Sequence, residues 1–131
     1  MEQTLIVIKP DGVSRKLVGE ILSRFERRDL SIYKMKMFTF TQEQAEQFYL
    51  PHRKKRFFSS LVKFIISGPV IAVILEGSTA IDVVRIMIGS TKSYEAPAGT
   101  IRGDYGLGLK DNVIHASDSR ESYERESKII F

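Results

Sequence analysis

The chain has 131 residues, 43% of them hydrophobic, enough for one core, so residues 1–131 are read as a single domain. It has no cysteine, which excludes a disulfide framework and a thiolate metal site and makes the cytoplasm the default compartment. A net charge of +4 and a pI near 9.4 favour phosphate-bearing partners without separating nucleotides from nucleic acids.

Residues 3–8 are apolar and β-branched and read as a strand that stops at Lys9-Pro10-Asp11-Gly12, where proline and glycine predict a turn. The apolar run before Lys9 is too short for a signal peptide. Leu17, Val18, Ile21, Leu22 and Phe25 recur at spacings of three and four, the pattern of one helix face ending near Arg28-Asp29. Residues 30–40 alternate, with Lys34 and Lys36 between Tyr33, Met35 and Met37, as in a half-exposed strand.

Thr41-Gln42-Glu43-Gln44 is a capping box that opens a short helix through Phe48 and Tyr49, and Pro51 closes it. Arg53-Lys54-Lys55-Arg56 is the one dense basic run and reads as a solvated loop. His52 beside it is expected to be dispensable. Residues 57–66 are apolar on nearly every side and end before Gly68-Pro69. Residues 70–75 then read as a central strand buried on both faces. Because Lys63 and Ser67-Gly68-Pro69 interrupt residues 61–75, this stretch is no membrane span, and the protein is expected to be soluble.

Ser78 or Thr79 caps a helix over residues 80–88, with Gly89 at its stop. Residues 90–111 show no periodicity and hold four glycines. Loops of such length in compact domains are usually functional. This order of elements predicts an α+β domain with a ferredoxin-like, mostly antiparallel four-stranded sheet, a two-layer sandwich with helices packed on one face.

His115 is one of only two histidines, and it follows a short apolar pair, Val113-Ile114. Beyond it, Ser117, Asp118 and Ser119 offer N-cap oxygens, with Glu121 three residues after Asp118, so the imidazole is expected where a strand hands over to a helix. Backbone N–H groups and a partial positive charge at such a junction suit an anion or a transferring phosphate. A lone histidine in this setting is more often structural, but the remaining residues shift the balance. There is no G-x-x-x-x-G-K-S/T loop, no G-x-G-x-x-G and no protein-kinase catalytic loop. Lys9, Arg85 and Arg102 fall at element ends or in loops, as phosphate-holding cations should, and Thr91 and Asn112 add hydroxyl and amide groups.

Asn112-Val113-Ile114-His115-Ala116-Ser117-Asp118 is similar to the signature N-x-x-H-G-S-D of the nucleoside diphosphate kinase family. Lys9-Pro10-Asp11-Gly12, Ser67-Gly68-Pro69 and Gly99-Thr100-Ile101-Arg102-Gly103-Asp104 resemble further segments of that family in the same order. The resemblance covers essentially the whole chain. It implies a kinase that passes the γ-phosphate of a nucleoside triphosphate to a nucleoside diphosphate by a ping-pong route through a phosphohistidine. His115 would be the nucleophile, with Lys9, Tyr49, Arg85, Thr91 and Arg102 around the phosphates and Asn112 with Lys9 at the ribose. Phe57 would stack on the base, Leu61 and Leu109 would line the same slot, and Ser117 and Glu126 would orient the imidazole.

A histidine keeps a substantial neutral fraction at pH 7, so one ring nitrogen is available to attack phosphorus. Positioned cations with Mg²⁺ supply most of the rate of such a transfer. Two histidines give no protein cage for a metal, so Mg²⁺ would arrive on the nucleotide phosphates, with Asp118 touching it through water. Stacking on an aromatic face tolerates any base, which implies broad base specificity. The chain departs from the family pattern at Ala116 (usually glycine), Arg56 (commonly proline) and Ser93 (often proline). Members similar to it form homo-oligomers, hexamers or tetramers. Two rival readings are a nucleic-acid-binding module and a catalytically silent relative. The first lacks the aromatic strand motif of an RNA-recognition domain, and the second conflicts with the joint presence of His115, Lys9, Arg102 and Asn112. Neither nucleic acid nor a membrane is therefore an expected partner.

Overall fold

The computed structural model describes residues 1–131. Four strands form one antiparallel sheet: β1 (Glu2–Ile8), β2 (Ser31–Phe38), β3 (Val70–Gly77) and β4 (Ile114–Ala116), in the order β2-β3-β1-β4. β1 and β3 pair along their whole length, from Glu2 opposite Gly77 to Ile8 opposite Ile71. β4 adds to the other side of β1, with His115 opposite Val7. This is the ferredoxin-like arrangement expected from the order of elements. β2 is an edge strand with an irregularity between Ile32 and Lys34, and it leaves Tyr33, Met35 and Met37 exposed.

Side-chain alternation along β1 and β3 divides the core. Ile6, Ile8, Val73 and Leu75 face one side and pack with α2 (Val18–Arg27) and α5 (Ala80–Ile88) through Ile21, Phe25, Val84 and Ile88. Leu5, Val7, Ala72 and Ile74 face the other, against α3 (Gln42–Phe48), α4 (Phe58–Ile65) and α7 (Arg120–Ile130), through Phe48, Val62, Ile65 and Ile130. Helices thus cover both faces rather than one, because a strand pair apolar on both sides exposes hydrophobic surface unless both sides are packed. Burying each Val, Leu or Ile of β3 stabilises the fold by roughly 1.5–3 kcal/mol.

Several local expectations change. Pro10 opens a short helix, α1 (Pro10–Ser14), instead of a turn, since proline at the first helical position lacks only an N–H that has no partner there anyway. Gly12 is held to glycine by space: a Cβ there would lie 2.8 Å from Ile8 Cγ2 and 3.0 Å from the Val113 carbonyl oxygen. The capping box at Thr41 forms as expected, with Thr41 Oγ1 accepting from the Gln44 amide at 3.1 Å and Gln44 Oε1 accepting from the Thr41 amide at 3.1 Å. Neither Ser78 nor Thr79 caps α5. Glu2 does so from across the chain, its Oε1 accepting from the Ile81 amide at 2.8 Å. The long segment before β4 is not structureless, for it holds a 3₁₀ turn (Ser93–Glu95) and α6 (Ile101–Tyr105), capped by Thr100 Oγ1 on the Gly103 amide at 3.0 Å. Arg24 of α2 pins this segment through a 2.8 Å ion pair with Asp104.

Candidate active site

His115 lies inside β4, the last strand before α7. The pairing continues past it, with Ala116 opposite Ile6 and the Ser117 amide bonded to the Leu5 carbonyl at 3.0 Å, and α7 starts only at Arg120. Ser119 caps that helix, accepting from the Ser122 amide at 3.1 Å, so an Asp118–Glu121 box does not form. Asp118 instead accepts from Ser122 Oγ at 2.8 Å.

The strand turns the imidazole towards α7. His115 Nε2 stands 2.9 Å from Glu126 Oε1, which also accepts from Ser117 Oγ at 2.7 Å. Glu126 is buried, and burial alone would raise its carboxyl. The charge and hydrogen bond of His115, the bond from Ser117 and the charge of Arg125 outweigh that and hold it below the usual range. An ionised carboxylate only accepts, so Nε2 carries the ring proton and Nδ1 carries the lone pair. The Phe48 ring packs against the imidazole in a T-shaped arrangement, with centroids 4.8 Å apart. Arg125 reaches Glu126 Oε2 at 3.4 Å while donating to the carbonyls of Gln47 at 2.9 Å and Phe48 at 3.2 Å, which ties α7 to the end of α3.

Cations gather around this pair. Arg102 is buried, donating to the carbonyls of Ile114 at 2.7 Å and Gly89 at 3.2 Å, while its Nε has no partner. Burial and the neighbouring Arg85 lower its pKa to about 10. Arg85 donates to the Ala116 carbonyl at 3.2 Å. Lys9, at the end of β1, is buried and donates to Asn112 Oδ1 at 2.8 Å. Its pKa falls to about 7, mainly through burial and secondly through Arg102. Cations held by carbonyl and amide oxygens rather than by direct ion pairs, in a partly desolvated site, are a strong invitation to an anion. Tyr49, buried against Phe48, has its hydroxyl pushed up by burial and by the charge of Glu126.

Asn112 gathers the long segment, its Nδ2 donating to the carbonyls of Thr91 and Leu109 at 3.0 Å each. Thr91 is therefore held through its backbone rather than its hydroxyl. Phe57 and Leu109 are about half exposed, at 47% and 57%, whereas Leu61 packs against the core. The histidine expected to be dispensable, His52, has its ring 6.3 Å from Tyr49 and 6.1 Å from Phe57, and burial, then the charges of Lys55 and His115, lower its pKa. The 3₁₀ turn Leu50–His52, with Pro51 at its centre, carries His52 there. No three His, Cys, Asp or Glu side chains cluster as a metal cage. The bond from Ser122 lowers the Asp118 carboxyl against a weaker effect of burial, and Arg85 and His115 add to the lowering. One ionised carboxylate near Arg85 fits a hard cation carried in on phosphates and still largely hydrated.

The fold and this constellation of cations around an oriented imidazole define a phosphotransferase. The sequence model of the family described as nucleoside diphosphate kinase matches residues 2–131. Proteins named nucleoside diphosphate kinase from Hyperthermus butylicus and Staphylothermus marinus are 60% and 61% identical to this chain. The alignments cover 100% and 99% of it and 92% of each relative. The solved nucleoside diphosphate kinase of Aquifex aeolicus superposes with a TM-score of 0.95 at 45% identity, over 99% of this chain and 94% of that one. That of Halobacterium salinarum, in complex with CDP, gives 0.96 at 43% identity, over 99% and 87%. The chain belongs to the nucleoside diphosphate kinase family, and as a nucleotide-binding phosphotransferase it moves a phosphoryl group between nucleotides.

No helix is long and apolar enough to cross a membrane.

Proposed function

We propose that the transfer runs as a ping-pong reaction through a phosphohistidine on Nδ1 of His115. The observation that carries this reading is the 2.9 Å contact between Nε2 and Glu126, braced by Ser117, which leaves the other ring nitrogen as nucleophile. In the first half-reaction Nδ1 attacks the γ-phosphorus, the bond to the β,γ-bridging oxygen breaks, and the nucleoside diphosphate leaves with that electron pair. In the second, the terminal phosphate oxygen of another diphosphate attacks the phosphohistidine and the Nδ1–phosphorus bond breaks. Glu126 stabilises the positive charge that the imidazole gains when phosphorylated.

Lys9, Arg85 and Arg102 neutralise charge on the phosphates, Tyr49 and Thr91 complete that shell, and Asn112 with Lys9 holds the ribose. Phe57 stacks on the base between Leu61 and Leu109, so purine and pyrimidine nucleotides are both substrates. The CDP held by the Halobacterium salinarum relative supports a pyrimidine diphosphate as one acceptor. Mg²⁺ is the cofactor: bound to the nucleotide phosphates, with Asp118 nearby through water, it would offset the charge that develops on their oxygens.

The chain acts in the cytoplasm, as one domain over residues 1–131, and assembles as a homo-oligomer, hexamer or tetramer. The exposed edge of β2, bearing Tyr33, Met35 and Met37, supports such self-association, since an unpaired edge with apolar side chains is a template for a second strand. The test is incubation with γ-labelled ATP and Mg²⁺. Label on the protein that survives alkali, is lost in acid and leaves with GDP, UDP or CDP as a new triphosphate supports the mechanism. Intact folded protein that takes no label refutes it.

A further inference from the structure

Two unfavourable features sit at one turn just before the nucleophile. Val113 has φ of 64°, in the left-handed region that a β-branched residue strongly avoids. Its neighbours close a tight three-residue turn around it, the Ile114 amide donating to the Asn112 carbonyl at 2.8 Å, a geometry that is rare and strained. Asp11 is the second feature. Its Oδ2 accepts from the Val113 amide at 3.1 Å, across 102 residues of sequence, while its Oδ1 is buried with no partner. A half-buried carboxylate with one enclosed oxygen unpartnered and a strained valine both cost stability, and such strain persists where the surroundings over-determine it for function.

The surroundings here come from one short stretch. The Lys9 amide donates to the Val113 carbonyl at 2.8 Å, Asp11 takes the Val113 amide, and α1 passes so close that only glycine fits at position 12. We infer that Asp11 is a positioning residue for phosphoryl transfer, clamping the reversed turn at Val113 so that Asn112 and His115 stand on fixed sides of it. Asn112 on one side grips Lys9, Thr91 and Leu109, and His115 on the other meets Glu126. A slip of the turn would move the amide side chain and the nucleophile together. The inference rests on His115 being the nucleophile.

Asp11 also exerts charge on Lys9, so the test must separate clamp from charge. Single-turnover phosphorylation of His115 by Mg-ATP, ADP affinity and thermal unfolding are measured for the wild type, D11A, D11N, V113G and D11A/V113G. D11A is expected to slow phosphorylation about 10- to 100-fold, with a smaller fall in ADP affinity, since misplacement of about 1 Å costs rates on that scale. D11N keeps an acceptor for the Val113 amide and should recover most of the rate. Glycine adopts the turn without strain, so D11A should lose much less in the V113G background. D11A at the wild-type rate, or reduced only in melting temperature, overturns the inference. So does D11N as slow as D11A, which would assign the effect to charge on Lys9, and so does an undiminished loss from D11A in the V113G background, which also stands in for D11A should that variant not fold. Wild type unlabelled at His115 would instead refute the phosphohistidine itself.

Discussion

The two sides of His115 are built differently. Towards α7 the imidazole meets a finished arrangement: Glu126 at 2.9 Å, Ser117 at 2.7 Å from the same oxygen, and Phe48 against the ring. On the side assigned to the nucleotide, Phe57 and Leu109 stand half exposed and Thr91 is tied only through its carbonyl. The imidazole proposed to react is preorganised within the protein, as are Lys9 and Asn112, while the surface assigned to the base stays open to solvent. Such a division suits an enzyme that must perform one reaction on many nucleotides, because the fixed part touches what all of them share.

The comparison breaks most decisively at the nucleophile. His115→Ala should fold normally and lose turnover by roughly 10⁵-fold or more, as removal of other covalent nucleophiles does. Steady-state rates with several diphosphates check this, and retained turnover would mean that another group carries the phosphoryl. Glu126→Gln keeps a hydrogen-bonding oxygen but not the charge, and kcat should fall on the order of 10²- to 10⁴-fold while nucleotide affinity changes little. A drop in affinity with kcat intact would move Glu126 to the binding side.

Phe57→Ala probes the open side. It should weaken binding by about 1–3 kcal/mol for every base alike, with the transfer rate from bound nucleotide nearly unchanged. Titrations with ADP, GDP, UDP and CDP read this directly, and a loss confined to one base would contradict simple stacking.

The smallest effect is protonic. Lys9 falls from an ordinary 10.5 to about 7, so at pH 8 it is largely neutral in the free folded protein and cationic in the unfolded chain. The unfolded state then binds more protons, and the Lys9 contribution to folding stability rises with pH between about 7 and 10.5. A phosphate placed beside Lys9 favours the cation and reverses the shift, so nucleotide binding at pH 8 should take up a proton, at most about one from this group. Calorimetry in two buffers of different ionisation enthalpy measures it, and a heat independent of buffer would show that Lys9 is already charged.

What the sequence disclosed followed the distance over which each feature is built. The box at Thr41 and Gln44 and the helix stop at Gly89 are local, and both were readable. His115, Lys9, Arg102 and Asn112 are singled out because they stand in ordered segments resembling one family. The cap from Glu2 to Ile81, the bond from Asp11 to Val113 and the reach of Arg125 to Gln47 join residues 79, 102 and 78 positions apart, and no local pattern announces them. Periodicity marks an apolar helix face but not the side of the sheet it will cover, so the second helical layer was missed. His52, expected to be dispensable, stands in the 3₁₀ turn before the basic run with its ring 6.3 Å from Tyr49 and 6.1 Å from Phe57, a placement that no local pattern announces.

The most direct measurement is the position of the phosphoryl group on the trapped ring, read by phosphorus–nitrogen NMR on protein labelled with ¹⁵N-histidine and treated with Mg-ATP. Because Glu126 occupies Nε2, the account predicts a phosphorus coupled to Nδ1 of His115 and no other nitrogen. Coupling to Nε2, or phosphate on a residue other than His115, would contradict it.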